Sequence, residues 1–129
     1  MSTVLVLNGS PRKGGTIFSL LEDITKGVKE EDNNVEWLNI YDLQMKPCIG
    51  CMKCRPDSEC ILPDDDAHTV GKKIKEVEAL VVGSPTYWGN MSSQLKVLFE
   101  RNVPVLMEEK PGGMPIAKQN GILNFLLTG

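Results

Sequence analysis

Val4-Leu5-Val6-Leu7-Asn8-Gly9-Ser10-Pro11-Arg12-Lys13-Gly14-Gly15-Thr16 passes from an unbroken apolar run into a glycine-rich basic turn. That order predicts a parallel α/β sheet. Consecutive apolar residues suit a strand covered on both faces, which requires helices on either side of the sheet. The turn that follows has the composition of a phosphate cradle. Glycines let the backbone approach an anion, Ser10 and Thr16 offer hydroxyls, Arg12 and Lys13 offer charge, and the next helix presents unpaired N–H groups at its positive end.

The cradle is not a nucleoside-triphosphate loop of the form G-x-x-x-x-G-K-[S/T]. Gly9, Gly14 and Thr16 fit that pattern, but Gly15 stands where the lysine is required. Nor is it the dinucleotide fingerprint G-x-G-x-x-G, because Ser10-Pro11 follows Gly9. What remains is a site for one terminal phosphate. Taken alone, the stretch also reads as an ordinary Gly/Pro turn joining a strand to a helix.

A second apolar run, Ala79-Leu80-Val81-Val82, leads into Gly83-Ser84-Pro85-Thr86-Tyr87-Trp88-Gly89-Asn90-Met91 before another helical pattern begins. In an open parallel sheet, ligands bind beyond the carboxyl ends of the strands, where the strand order reverses, so the two turns are expected to face one ligand. Tyr87 and Trp88 offer flat surface to a ring system, and backbone N–H groups around Gly89 and Asn90 can donate to its edge. A phosphate at one turn and a flat ring at the other describe flavin mononucleotide (FMN).

The pair of turns, Gly-Ser-Pro-Arg-Lys-Gly-Gly at 9–15 and Gly-Ser-Pro-Thr-Tyr-Trp-Gly-Asn-Met-Ser at 83–92, resembles the flavodoxin-like NAD(P)H-dependent FMN reductases. Four cysteines between the turns make the chain most similar to the iron-sulfur flavoprotein branch. The resemblance covers essentially the whole chain. It implies that Ser10, Arg12, Gly15 and Thr16 hold the phosphate, beside the charge that Lys13 offers. It also implies that Pro85, Thr86, Tyr87, Trp88, Gly89 and Asn90 border the isoalloxazine ring. Thr16-Ile17 stands where the family often has Asn followed by Thr or Ser, which implies one phosphate donor fewer.

Cys48, Cys51, Cys54 and Cys60 follow the spacing C-x2-C-x2-C-x5-C within one loop, 48–60. Two-residue gaps occur in ferredoxin-type runs, and Gly50 lets the backbone curl so that the sulfurs converge. A 4Fe-4S cluster, a zinc ion and free thiols all remain open for these four residues. Structural zinc sites usually pair two C-x2-C units across a longer stretch. A disulfide framework fits less well, because no apolar signal segment precedes the first loop. A reducing cytoplasm is the expected location.

The 129 residues bound a single domain, 1–129. Fourteen basic residues against seventeen acidic ones leave a net charge of −3, which offers no positive field to nucleic acid. No apolar run approaches the ~20 residues of a membrane-spanning helix.

Ile17, Leu21, Ile24 and Val28 predict a helix lying on the sheet with Lys26 and Lys29 outward, and the alternation over 35–40 predicts an edge strand with Trp37 on the Val35 side. Asp64, Asp65 and Asp66 read as the cap of a helix whose later part carries Lys72, Lys73 and Lys75. His68 is expected on the exposed face of that helix, with no chemistry assigned. Gln94, Lys96 and Arg101 are expected on a helix surface, with Leu95, Leu98 and Phe99 buried. Met45, Met52, Met91 and Met107 read as gap fillers.

Residues 111–115 read as a loop and 121–127 as a fourth strand. The expected fold is therefore a flavodoxin-like doubly wound parallel sheet of order 2-1-3-4, truncated where the family adds a fifth strand and a helix. An uncovered edge there predicts a homo-oligomer. The functional expectation is an oxidoreductase that passes electrons from NAD(P)H, as co-substrate, through FMN to a small-molecule or protein electron acceptor. The rivals are a non-catalytic electron carrier and a truncated domain that keeps only metal at the cysteines.

Overall fold

The structure, a computed structural model, describes residues 2–54, 59–102, 107–108, 116–117 and 122–127. Strand β1 (Thr3–Asn8) leads through the first glycine-rich turn into helix α1 (Thr16–Glu30), and β2 (Asn34–Asn39) follows. A short 3-10 turn (Ile40–Asp42) opens the segment that carries the cysteines. Helix α2 (Asp66–Glu76), strand β3 (Ala79–Pro85) and helix α3 (Ser93–Arg101) come next, and then three strands, β4 (Met107–Glu108), β5 (Ile116–Ala117) and β6 (Ile122–Leu127).

The main sheet has the order β2-β1-β3-β6, and every neighbour pair in it is parallel. This is the predicted 2-1-3-4 arrangement, with β6 as the fourth strand. β4 and β5 form a separate antiparallel pair. The predicted loop at 111–115 lies outside the described residues.

Strand alternation divides the core between the two faces of the sheet. Leu5 and Leu7 of β1 join Leu80 and Val82 of β3 against α2 and α3, where Val70, Leu95 and Leu98 are fully buried or nearly so. Val4, Val6 and Val81 face the other way, onto Ile17 and Leu21 of α1. The stripe predicted from Ile17, Leu21, Ile24 and Val28 is thus the contact face. Trp37 sits on the Val35 side as expected, half-buried, with its ring 5.3 Å from that of Phe18 in an edge-on contact.

Asp65 caps α2: its carboxylate accepts from the Ala67 N–H, and His68 completes a reciprocal capping box from N3. Asn102, just past α3, donates to the carbonyls of Ala67 and Leu98, and it fills the space beside Gly71 where a Cβ would lie 2.1 Å from its Oδ1. The α2–α3 crossing is therefore fixed by a buried amide.

Three surface expectations and one packing expectation need correction. The Arg101 side chain is fully buried, and His68 is only 10% exposed. Gln94 is half-buried and donates from Nε2 to the Leu43 carbonyl. Met52, read as a gap filler, is 60% exposed with a left-handed backbone. For the first two the reason is one electrostatic assembly, described below.

Candidate functional site

The two glycine-rich turns meet. β1 and β3 lie side by side with Asn8 opposite Gly83, so the chain leaves both strands at the same edge. Gly9 N–H donates to Gly83 O at 2.7 Å, and the buried Ser92 hydroxyl donates to Gly9 O at 2.6 Å. Ser92 N–H in turn donates to Ser84 Oγ at 2.9 Å, and Ser84 Oγ donates to Pro85 O. Ser92 occupies the N-cap of α3, but its hydroxyl reaches across to the other turn instead of capping its own helix. The turns are braced as one unit.

Beneath the first turn lies a polar pillar. Asn8, 1% exposed, accepts the Ser10 N–H on Oδ1 and donates from Nδ2 to Asn39 Oδ1, which also takes the Trp37 indole N–H at 2.8 Å. Ser10 Oγ accepts the Arg12 N–H, which curls the turn back toward α1. Gly15 is the N-cap of helix α1, which has no side-chain cap bond and no acidic residue in its first turn. Ser19 N–H is bonded to Gly15 O, so the amides before it have no partner in the helical ladder. Arg12, Lys13 and Thr16 are exposed around this positive end, and Lys13 pairs with Asp42 at 3.3 Å across the surface. Uncapped amides with two cations form the donor set that a phosphate monoester needs.

The second turn is a tight hairpin. Tyr87 and Asn90 exchange both backbone hydrogen bonds, at 2.8 and 3.0 Å, and the two residues between them both have positive φ, 50° at Trp88 and 72° at Gly89. Glycine adopts that backbone freely, whereas a bulky aromatic residue is strained there. Trp88 is nonetheless fully exposed at 105%, with Tyr87 at 43% beside it. The indole thus stands in solvent on a strained backbone. Pro85 is buried at the base of the hairpin and Thr86 is half-buried.

The four cysteines are free thiols around one cavity of ≈ 80 Å³, lined also by Ile49, Ile61, Leu62 and Arg101. Positive φ at Gly50 and Met52 curls the loop around it. Two donors point at sulfur. Gly50 N–H lies 3.4 Å from Cys48 Sγ, and Arg101 Nε–H donates to Cys60 Sγ at 3.1 Å. Among the described residues, no group of three or more His, Cys, Asp or Glu side chains is placed to hold a single metal ion. Burial pushes the Cys54 thiol above its ordinary value, and the neighbouring sulfurs of Cys60, Cys48 and Cys51 add to that. An apolar cavity with four thiols and hydrogen-bond donors aimed at sulfur has the chemistry of a thiolate-ligated centre.

Arg101 ties this loop down. Its guanidinium donates to Asp65 through both Nη1 and Nη2, at 2.8 and 3.1 Å, and Nη1 also reaches Lys46 O at 2.7 Å. Burial favours the protonated acid at Asp65. The Arg101 hydrogen bonds, the Lys46 N–H, the Arg101 charge and the Ala67 N–H outweigh it and hold the carboxyl down to about 2. His68 Nε2 donates to Cys60 O at 3.0 Å, leaving Nδ1 to accept. Sequence reading missed Arg101, His68, Asn8 and Ser92. For Arg101 a signal existed: it continues the three-residue spacing of Leu95 and Leu98 and so falls on the buried stripe.

Helix α3 runs from the hairpin to Cys60. Nine residues rise about 12 Å between first and last, so the cysteine loop stands one short helix away from the hairpin. Among the described residues, no helix is long and apolar enough to cross a membrane.

The family described as NADPH-dependent FMN reductase matches residues 2–125. An iron-sulfur flavoprotein of Methanocaldococcus jannaschii is 35% identical over 102 residues, which is 79% of this chain and 52% of that protein. An iron-sulfur flavoprotein of Archaeoglobus fulgidus is 38% identical over 99 residues, 77% of this chain and 48% of that protein. This chain thus spans about half the length of these curated relatives. Among solved structures, the azoreductase from Bacillus anthracis superposes with a TM-score of 0.68 over 98% of this chain and 69% of its own, at 18% identity. At that identity the likeness concerns the fold.

Proposed function

This chain belongs to the NADPH-dependent FMN reductase family, and from that premise we propose that it is an oxidoreductase carrying FMN between its two braced turns. The observation that carries the reading is the brace itself, Gly9 N–H to Gly83 O and Ser92 Oγ to Gly9 O. It holds the glycine-rich basic turn and the aromatic hairpin side by side at one edge of the sheet, which supports a single ligand between them. The free amides of α1, with Arg12 and Lys13, bind the phosphate, Ser10 and Thr16 add hydroxyl donors, and Gly15 lets the ester approach the backbone. Pro85 and Thr86 floor the ring site, Tyr87 and Trp88 cover the ring, and backbone N–H groups at Gly89 and Asn90 donate to its edge. Bound FMN supplies hydride acceptance from NAD(P)H and onward delivery of electrons in pairs or singly.

Cys48, Cys51, Cys54 and Cys60 hold a 4Fe-4S cluster in the same proposal, and such a cluster supplies one-electron transfer. The shared apolar cavity and the two donors aimed at sulfur support this, as does likeness to proteins named iron-sulfur flavoproteins. The acceptor is a small molecule or a protein, and the chain acts as a homo-oligomer in a reducing cytoplasm.

Anoxic purification tests the reading. The expected result is a coloured protein with FMN near one per chain, with iron and acid-labile sulfide, that oxidises NADH or NADPH in steady state. A protein that takes up no FMN when it is supplied refutes the flavin reading. Flavin without nicotinamide turnover makes the chain an electron carrier instead. Bound iron without sulfide, or zinc in its place, refutes the cluster.

A further inference from the structure

We propose that Arg101 is a positioning residue that tunes the cysteine centre through Cys60, raising its reduction potential by a hydrogen bond to the ligating sulfur. The proposal rests on the cluster reading above. Arginine carries five N–H donors in a fixed plane, and here each has its own acceptor. Nε–H meets Cys60 Sγ, Nη1 meets Lys46 O and Asp65 Oδ2, and Nη2 meets Asp65 Oδ1 and His68 Nδ1. With all five engaged and the side chain fully buried, the guanidinium has one orientation, and that orientation aims Nε–H at sulfur.

The partners fix both ends of the cysteine loop. Lys46 lies two residues before Cys48, and Asp65, five residues after Cys60, is itself filled by the N–H groups of Lys46 and Ala67. Asp65 also offsets the charge of Arg101. Cys60 therefore experiences a directed N–H donor from a neutralised pair, not an isolated cation. A hydrogen bond to a ligand sulfur stabilises the reduced centre, in which sulfur carries more negative charge, so it raises the potential. The Gly50 N–H at Cys48 acts in the same sense, but it belongs to the loop and moves with it. Arg101 reaches sulfur from α3, the helix that also carries the hairpin brace at its other end.

Two substitutions separate tuning from mere support. Arg101→Met removes the donor to sulfur, and the midpoint potential of the reconstituted centre should fall. Asp65→Asn leaves the Nε–H donor in place and removes the offsetting negative charge, so the potential should rise. Potentiometric titration monitored by electron paramagnetic resonance reads both, beside the iron and sulfide content of each protein. Shifts of opposite sign support the proposal. Shifts of the same sign, no shift in either, or loss of iron from both would leave Arg101 a structural residue and overturn it. Where Arg101→Met alone fails to hold the centre, Arg101→Lys decides: it keeps the positive charge and loses the Nε–H donor to sulfur, so a lowered potential supports tuning by the hydrogen bond and an unchanged or raised one refutes it. Wild-type protein lacking iron and sulfide defeats the cluster reading, and this proposal with it, whereas a loaded wild type with unresponsive variants defeats this proposal alone.

Discussion

Replacing Gly9 with alanine tests whether the two turns are one unit. A Cβ at this position would lie 2.9 Å from Gly83 O, 3.0 Å from Leu95 Cδ2 and 3.3 Å from Ser92 Oγ. The first neighbour is backbone, the acceptor of the Gly9 N–H itself, and Leu95 is fully buried. None can withdraw unless the ends of β1 and β3 part. Overpacking of this kind costs roughly 1–3 kcal/mol. Stretching the Ser92 hydroxyl away from Gly9 O adds about 1 kcal/mol, because a buried group loses its partner. Gly9→Ala should therefore lose about 2–4 kcal/mol, read as a lower urea midpoint at unchanged slope.

Gly15→Ala is the control. Gly15 has an ordinary φ of −83°, and its Cβ would meet nothing nearer than Arg12 Cβ at 3.4 Å. It should cost at most about 1 kcal/mol, through a poorer N-cap. Its methyl group would nevertheless stand beside the uncapped amides of α1 and weaken FMN binding, measured by quenching of flavin fluorescence. If Gly9→Ala unfolds at the wild-type midpoint, or the two variants are equally destabilised, the brace does not have the role assigned to it.

Trp88→Gly should leave the fold intact or raise its stability by up to about 1 kcal/mol, since glycine relieves the positive φ, while FMN affinity falls. Unchanged affinity would show that the indole covers nothing. Arg12→Ala, at an exposed position, should weaken FMN binding without moving the urea midpoint, and equal affinity would count against its phosphate role. Asp65 gives a pH signature. Its folded value of about 2 lies below the ordinary 3.8, so its contribution is complete above about pH 5 and is lost as pH falls through 3.8 toward 2. That difference corresponds to about 2 kcal/mol. Asp65→Asn should be less stable than wild type by that amount at pH 6, with the gap closing by pH 2. A gap independent of pH would assign the loss to geometry and not to charge.

The sheet was legible because its central strands announce themselves. Val4 to Leu7 and Leu80 to Val82 must be covered on both faces, and the stripe on α1 supplies one of the covers. The turns were legible because glycine, proline and hydroxyl residues at a strand end have few other uses. The bonds of Arg101 and His68 were not: the spacing of Leu95 and Leu98 places Arg101 on the buried stripe but does not say what pairs a buried cation, and the His68 bond to Cys60 O depends on how the cysteine loop folds back. An arginine on a helix next to a lysine-rich helix reads as solvent-facing. Only the approach of Asp65, a cap residue with a second task, makes burial of a cation tolerable. The aspartate was read correctly as a cap, and its other bonds were invisible.

One consequence follows from the placement of these clamps on α3. Ser92 immediately precedes that helix and grips the first turn, while Arg101 ends it and grips Cys60. Gln94 and Arg101 also hold the strand-to-loop segment, through the carbonyls of Leu43 and Lys46. The helix is pinned to the sheet by Leu95 and Leu98, so it cannot rotate or slide without breaking the core. The paired turns and the thiol cavity are thereby tied to a single rigid element, as electron exchange between the two proposed centres would require. A fold with the two loops on independent elements would let their distance fluctuate. Here the separation is set by the rise of nine helical residues.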